Sequence, residues 1–166
     1  MKTLYLVRHA KSSWSLNELP DIDRPLNDRG YGDAHLMSKT LLHKIQVPDL
    51  MISSSAIRAT STALIFARTF GYPVEKLQLE SQLYETKVAD YLEVLSRVPD
   101  GVQNLMVFAH NFTISEIVPY FLVETIEEMS TCAVMGMDLE IDHWGDIKTA
   151  RGNRALYLFP KMLKEM

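Results

Sequence analysis

The chain has 166 residues, 47% of them apolar and 23% charged, proportions that suit one globular domain with one core and exclude wholesale disorder. The formal net charge is −4 at pH 7 and no Lys/Arg run exceeds two residues, so the basic patch that nucleic acid or an anionic membrane surface would need is missing. An anion bound here must be held by a few placed cations.

The N-terminal apolar run Leu4–Val7 is four residues long, too short for a signal-peptide core or a bilayer span. The expected location is therefore the cytoplasm. Cys132 is the only cysteine, which leaves no internal disulfide and no thiolate metal cluster.

Leu4–Val7 reads as a buried strand ending at Arg8-His9. Asn27 caps an expected helix whose apolar positions Tyr31, Ala34, Met37, Leu41, Leu42 and Ile45 keep near-helical spacing up to Pro48. Leu50–Ser53 reads as a short strand entering a Ser53-Ser54-Ser55 turn. The next helix carries Ala59, Ala63, Phe66, Ala67 and Phe70 on one face and stops at Gly71 and Pro73. A weaker strand is expected over 78–83, then a helix through Val88, Tyr91, Leu92, Leu95 and Val98. Leu105–Ala109 is a buried strand ending at His110. Thr113 and Glu116 have capping-box spacing at the start of another helix, which Pro119 should kink or shorten. Ala133–Ile141 alternates like a half-exposed strand, and Ala155–Phe159 is the last one, with a polar connection over 142–153.

Strands alternating with helices imply a three-layer α/β/α arrangement with a mainly parallel sheet. The last two strands have no helix between them and should pair as an antiparallel edge. Residues 1–166 are expected to form a single domain.

Two histidines, His9 and His110, sit where buried strands end. Ligands of open α/β sheets bind at the carboxyl ends of strands, so the two can face one crevice. His35, His43 and His143 lack that context and read as surface or helix residues. Arg58 opens the helix after the second strand, where a cation opposes the helix dipole unless an anion lies between them. With Arg8 it supplies two planar guanidinium forks that match phosphate oxygens. No His-Glu-x-x-His, P-loop or Gly-x-Ser-x-Gly occurs, so zinc, nucleotide-phosphate and serine-hydrolase chemistry lack their motifs.

Leu6-Val7-Arg8-His9-Ala10 resembles the Arg-His-Gly signature of the histidine phosphatase superfamily, the phosphoglycerate mutase-like proteins. The segment from Asp21 to Gly30, with Asp23-Arg24-Pro25-Leu26 inside it, is similar to that of the small SixA-type branch of phosphohistidine phosphatases. Ser53 to Ala63 resembles the second-arginine motif, Leu83-Tyr84-Glu85 the segment of the general acid, and Phe108-Ala109-His110-Asn111 the second-histidine motif. The motifs stand in the family's order from residue 4 to about residue 160.

The resemblance implies a phosphoglycerate mutase-like fold and a metal-independent phosphatase without cofactor. It implies that His9 is the nucleophile and that Arg8, Arg58 and His110 hold the phosphoryl oxygens. Arg24 adds a phosphate contact, or else forms a loop salt bridge with Asp21 or Asp23. Glu85 is the implied proton donor, with a surface carboxylate before a helix as the alternative. Ala10 and Ala109 replace family glycines, which excludes positive φ there, and Ser15 replaces a phosphate-contacting asparagine of larger relatives. So short a chain has little room for a lid, which favours a phosphohistidine-bearing protein as substrate. The rival readings are a sugar or metabolite phosphomonoesterase and a phospho-binding module without turnover. Neither a nucleic acid nor a membrane is an expected partner.

Overall fold

The computed structural model describes residues 1–166 except Thr125 and Glu127. Six strands form one sheet: β1 (Lys2–Arg8), β2 (Leu50–Ser54), β3 (Gln78–Glu80), β4 (Asn104–Ala109), β5 (Val134–Leu139) and β6 (Gly152–Leu158). Their spatial order is β3-β2-β4-β1-β5-β6. The first four are parallel, whereas β5 runs antiparallel to both β1 and β6, the edge expected from two strands without a helix between them.

Strand β1 shows how the chain fills both layers. Leu4 and Leu6 point to one face, where they pack with α3 (Val88–Ser96) and α4 (Thr113–Phe121) through Tyr91, Leu95, Ile117 and Phe121. Tyr5 and Val7 point to the other, against α1 (Asp28–Leu42) and α2 (Ile57–Phe70) through Met37, Leu41, Phe66 and Phe70. Burial on both faces is the reason the strand is an unbroken apolar run instead of an alternating one. Phe66 meets Phe108 of β4 edge to face at 5.2 Å, a favoured aromatic geometry.

Helix α1 begins where its cap was expected: the Asn27 side chain accepts the Gly30 N–H at 2.9 Å. Gly30 is needed there because a Cβ would fall well inside contact distance of the Lys11 carbonyl oxygen. Helix α2 ends on Gly71 in the left-handed conformation (φ 70°), the usual role of a glycine past a helix C-terminus.

Several expectations are corrected. The capping box at Thr113 does not form: Phe112 occupies the N-cap position without a side-chain cap, and the Thr113 hydroxyl donates to the Thr86 carbonyl at 2.7 Å. That bond ties α4 to the segment before α3, a tertiary partner that local spacing cannot reveal. Strand β5 is not half-exposed; Val134 to Met137 are buried, because β6 lies outside it and both faces are covered. Strand β3 is three residues long and passes into a 3-10 turn at Ser81–Leu83. The connection over 142–153 is polar in composition yet buries Trp144 and Ile147 in a 3-10 segment, with the indole N–H donating to the Val102 carbonyl at 2.8 Å. A short helix, α5 (Pro160–Lys164), follows β6.

Candidate active site

β1 and β4 are neighbouring parallel strands with Arg8 in register with Ala109, and the His9 N–H extends the pairing to the Ala109 carbonyl at 3.0 Å. The residues that follow each strand, His9 and His110, are therefore delivered side by side. Their ring centroids lie 5.1 Å apart. Arg58 arrives from the second position of α2, immediately beyond β2, which is the other neighbour of β4. Arg8, His9, Arg24, Arg58 and His110 all line one cavity of about 200 Å³, together with Lys11, Ser12, Trp14, Asn111 and Thr131.

Glu85 is the expected residue that stands apart. It is exposed, has a positive φ of 49°, and lines an adjoining cavity with Thr86, Phe112 and Glu116. His110 and Asn111 form the wall shared by the two cavities. Ser15 is exposed and bonds Ser13, outside the group that lines the cavity. Ser12 does line it, accepting from Arg24 Nη1 at 2.8 Å. Ala10 and Ala109 are fully buried and neither has positive φ.

Five buried side-chain atoms have no hydrogen-bond partner among the described residues. Two are the Asp33 carboxylate oxygens, which lie within ion-pair distance of Lys164 and Arg29. The other three are Arg8 Nε, Arg58 Nε and His110 Nδ1, all on residues of the one cavity. Buried polar atoms are rarely left unpaired, so a cluster of them marks a place where an outside acceptor is expected.

Most of the other nitrogens of these residues are committed to the protein. Arg58 Nη1 donates to the Asp21 carbonyl at 2.8 Å and Nη2 to Asp21 Oδ2 at 3.0 Å. Arg24 Nε donates to Asp21 Oδ1 at 3.0 Å, and the Tyr84 hydroxyl donates to Oδ2 at 2.6 Å. Asp21 thus fastens two cationic residues at once. The hydrogen bond from Tyr84, with those from Arg24 and Arg58, holds its carboxyl well below the usual carboxylate range despite some desolvation. The Arg58 cation at a helix N-terminus has found its anion in this carboxylate. Arg24 accordingly forms the Asp21 salt bridge, the alternative to a phosphate contact, and it also lines the cavity. Arg8 Nη1 donates to the Met129 carbonyl at 2.8 Å and pairs with Glu128 at 3.4 Å.

His9 Nδ1 lies 2.7 Å from the Ala10 carbonyl oxygen. A carbonyl can only accept, so Nδ1 carries the proton and Nε2 carries the lone pair. Burial, followed by the charges of His110, Arg58 and Arg8, lowers the His9 pKa to about 3, although the Ala10 carbonyl works in the opposite direction. Burial and the Arg58 charge likewise lower His110 to about 4. Both rings are neutral at pH 7.

A model of the histidine phosphatase superfamily (branch 1) matches residues 4–94, more than half of the chain. The chain belongs to the histidine phosphatase superfamily. Membership sets its activity class, phosphatase. Its fold is that of the superfamily's SixA structures. One, a protein histidine phosphatase SixA complexed with tungstate, superposes with a TM-score of 0.83 at 19% identity, over 97% of this chain and 99% of the other. A SixA from Agrobacterium tumefaciens gives 0.81 at 23% identity, over 96% and 98%. By sequence, the chain is 28% identical over 151 residues to an uncharacterized protein of Mycobacterium tuberculosis, covering 86% of this chain and 92% of that one.

Three contributors to this candidate site escaped the sequence reading. Thr62 accepts the Ala10 N–H at 3.0 Å and donates to the Arg58 carbonyl at 2.8 Å, joining the loop after β1 to α2. Its place four residues after Arg58, on the same helix face, was the available signal. Tyr84 lies within a quoted motif but was read only as Glu85's neighbour. The Trp14 indole stacks on the Arg24 guanidinium, 3.5 Å from carbon to ring centroid, and nothing in its sequence context pointed there. Among the described residues no group of three or more His, Cys, Asp or Glu side chains is arranged to hold a metal ion. None of the described helices is long and apolar enough to cross a membrane.

Proposed function

We propose that the protein hydrolyses phosphohistidine on a protein substrate, passing the phosphoryl group through His9. The observation that carries this reading is the pairing of a free His9 Nε2 lone pair with the unpartnered Arg8 Nε, Arg58 Nε and His110 Nδ1 in one cavity. His9 Nε2 attacks phosphorus in line. The bond to the leaving group breaks as the new P–N bond forms, and charge on the equatorial oxygens is met by donors already in place. Water then attacks the phosphohistidine on His9, releasing inorganic phosphate and restoring the neutral imidazole.

A protein substrate is supported by the rim. Trp14 at the cavity's edge and Phe112 in the adjoining cavity are 68% and 69% exposed, apolar surface that a macromolecular partner would cover. Phosphohistidine has an imidazole leaving group that solvent can protonate, so an acid at Glu85 is dispensable for it. A specific observation also favours the second reading, a small phosphomonoesterase. The adjoining cavity of about 430 Å³ could hold an alcohol leaving group beside Glu85.

Rapid quench with labelled substrate tests the common step. The protein should carry phosphate that is labile in acid and stable in base, and His9→Ala should carry none. Label surviving in that variant would remove His9 as nucleophile. A comparison of kcat/KM for a phosphohistidine protein and a set of small phosphomonoesters, run in excess chelator, separates the two substrates. A preference for the monoesters by 10-fold or more would overturn the protein-substrate reading.

A further inference from the structure

The Ser54 hydroxyl ends β2 fully buried. Two groups lie within hydrogen-bond distance of it among the described residues: the Ala56 backbone N at 3.3 Å and His110 Nε2 at 2.8 Å. The amide can only donate, so Ser54 Oγ accepts there. The hydroxyl still has one proton to place, and His110 Nε2 is the one described acceptor within its reach. A buried hydroxyl proton does not go unpaired when an acceptor stands in range.

From this geometry we infer that Ser54 is a positioning residue that holds His110 in the Nδ1–H tautomer, making it a neutral hydrogen-bond donor to the phosphoryl group. Nε2 accepts from Ser54 and is therefore unprotonated, and a neutral imidazole then carries its single proton on Nδ1. That nitrogen is buried and has no partner among the described residues. A phosphoryl oxygen in the cavity supplies the acceptor.

The two histidines are then the same tautomer used from opposite ends. His9 spends its Nδ1–H on the Ala10 carbonyl and keeps the Nε2 lone pair for phosphorus. His110 spends its Nε2 lone pair on Ser54 and keeps the Nδ1–H for oxygen. The alternative tautomer of His110 would turn a lone pair toward the phosphoryl oxygens and convert attraction into repulsion. Because both rings are neutral at pH 7, the tautomer decides the role of each, and the groups that fix it are the Ala10 carbonyl for His9 and the Ser54 hydroxyl for His110.

The inference rests on the phosphatase reading for its effect on turnover, while the tautomer itself is measured on the resting protein. Two-bond ¹H–¹⁵N correlation spectra at pH 7 should show His110 with a protonated Nδ1 and an unprotonated Nε2. A protonated Nε2 in the unaltered protein would overturn the assignment, whatever the variants do. Vanadate, as a phosphoryl stand-in, should move the His110 Nδ1–H resonance downfield; an unmoved resonance in the vanadate-saturated protein would refute the donor role. Ser54→Ala should let the Nε2–H form appear and lower kcat about 10-fold, less than the ~10²-fold typical of deleting such a donor outright. Ser54→Thr, which keeps the hydroxyl, should restore both. An Ala variant with unchanged tautomer and turnover would sink the proposal. If the unaltered protein showed the expected tautomer but no hydrolysis of any phosphate, the functional reading would fail and the Ser54 assignment would stand.

Discussion

Holding two neutral histidines in a buried site should make the fold sensitive to mild acid. In the folded protein His9 and His110 titrate at about 3 and about 4, against roughly 6.5 for an unfolded chain. Between pH 6.5 and 4 the unfolded state binds more protons than the folded one, so the unfolding free energy must rise with pH in that window. At pH 5 each ring has lost about 1.5 pH units of its range, worth roughly 2 kcal/mol, or ~4 kcal/mol for the pair relative to pH 8. His143 acts with the opposite sign: exposed and bonded to Asp100, its pKa is raised, so its contribution grows in acid. The Asp21 carboxyl, held low by Tyr84, Arg24 and Arg58, loses its contribution only below the ordinary carboxylate range. Urea unfolding at pH 8, 7, 6 and 5 measures the slope directly. His9→Asn and His110→Asn should each remove about half of it, and the double variant most of it. A stability that is level between pH 8 and 5, or a slope that survives in the double variant, would refute the assignment of these rings as buried and neutral.

Glu85→Gln should leave p-nitrophenyl phosphate and phosphohistidine turnover within about 3-fold of the unaltered protein, because Glu85 lines the adjoining cavity and these leaving groups need little acid assistance. Loss of alkyl phosphate turnover alone, by 10²-fold or more, would identify Glu85 as a general acid and favour the small-monoester reading. Gly30→Ala should destabilise the fold by about 2 kcal/mol or more in urea unfolding, since its methyl meets the Lys11 backbone carbonyl, which has no rotamer to yield. An unchanged midpoint would mean that the loop after His9 is looser than its contact with α1 indicates.

Much of the site was legible in one dimension because its parts lie at the ends of strands. Arg8-His9 and His110 each follow an apolar run long enough to be a buried strand, and in a parallel sheet such ends converge on one edge. The same logic located Arg58 one step past β2, and its unfavourable place at a helix N-terminus signalled that an anion was near. What the sequence could not supply was the order of the strands. That β1 and β4 are neighbours, with Arg8 opposite Ala109, is decided by packing between elements about a hundred residues apart, and it is this adjacency that brings the two rings to 5.1 Å. Tertiary packing likewise made Asp21 the anchor of Arg24, Arg58 and Tyr84, removed the expected cap at Thr113 and buried β5. Each of these outcomes depends on a partner distant in the chain or on a neighbouring strand, whereas residue periodicity reports only on what a segment does with itself. Side-chain chemistry was written in the sequence; which nitrogen of each histidine faces the cavity was settled by the carbonyl of Ala10 and the hydroxyl of Ser54, groups whose positions only the folded chain defines.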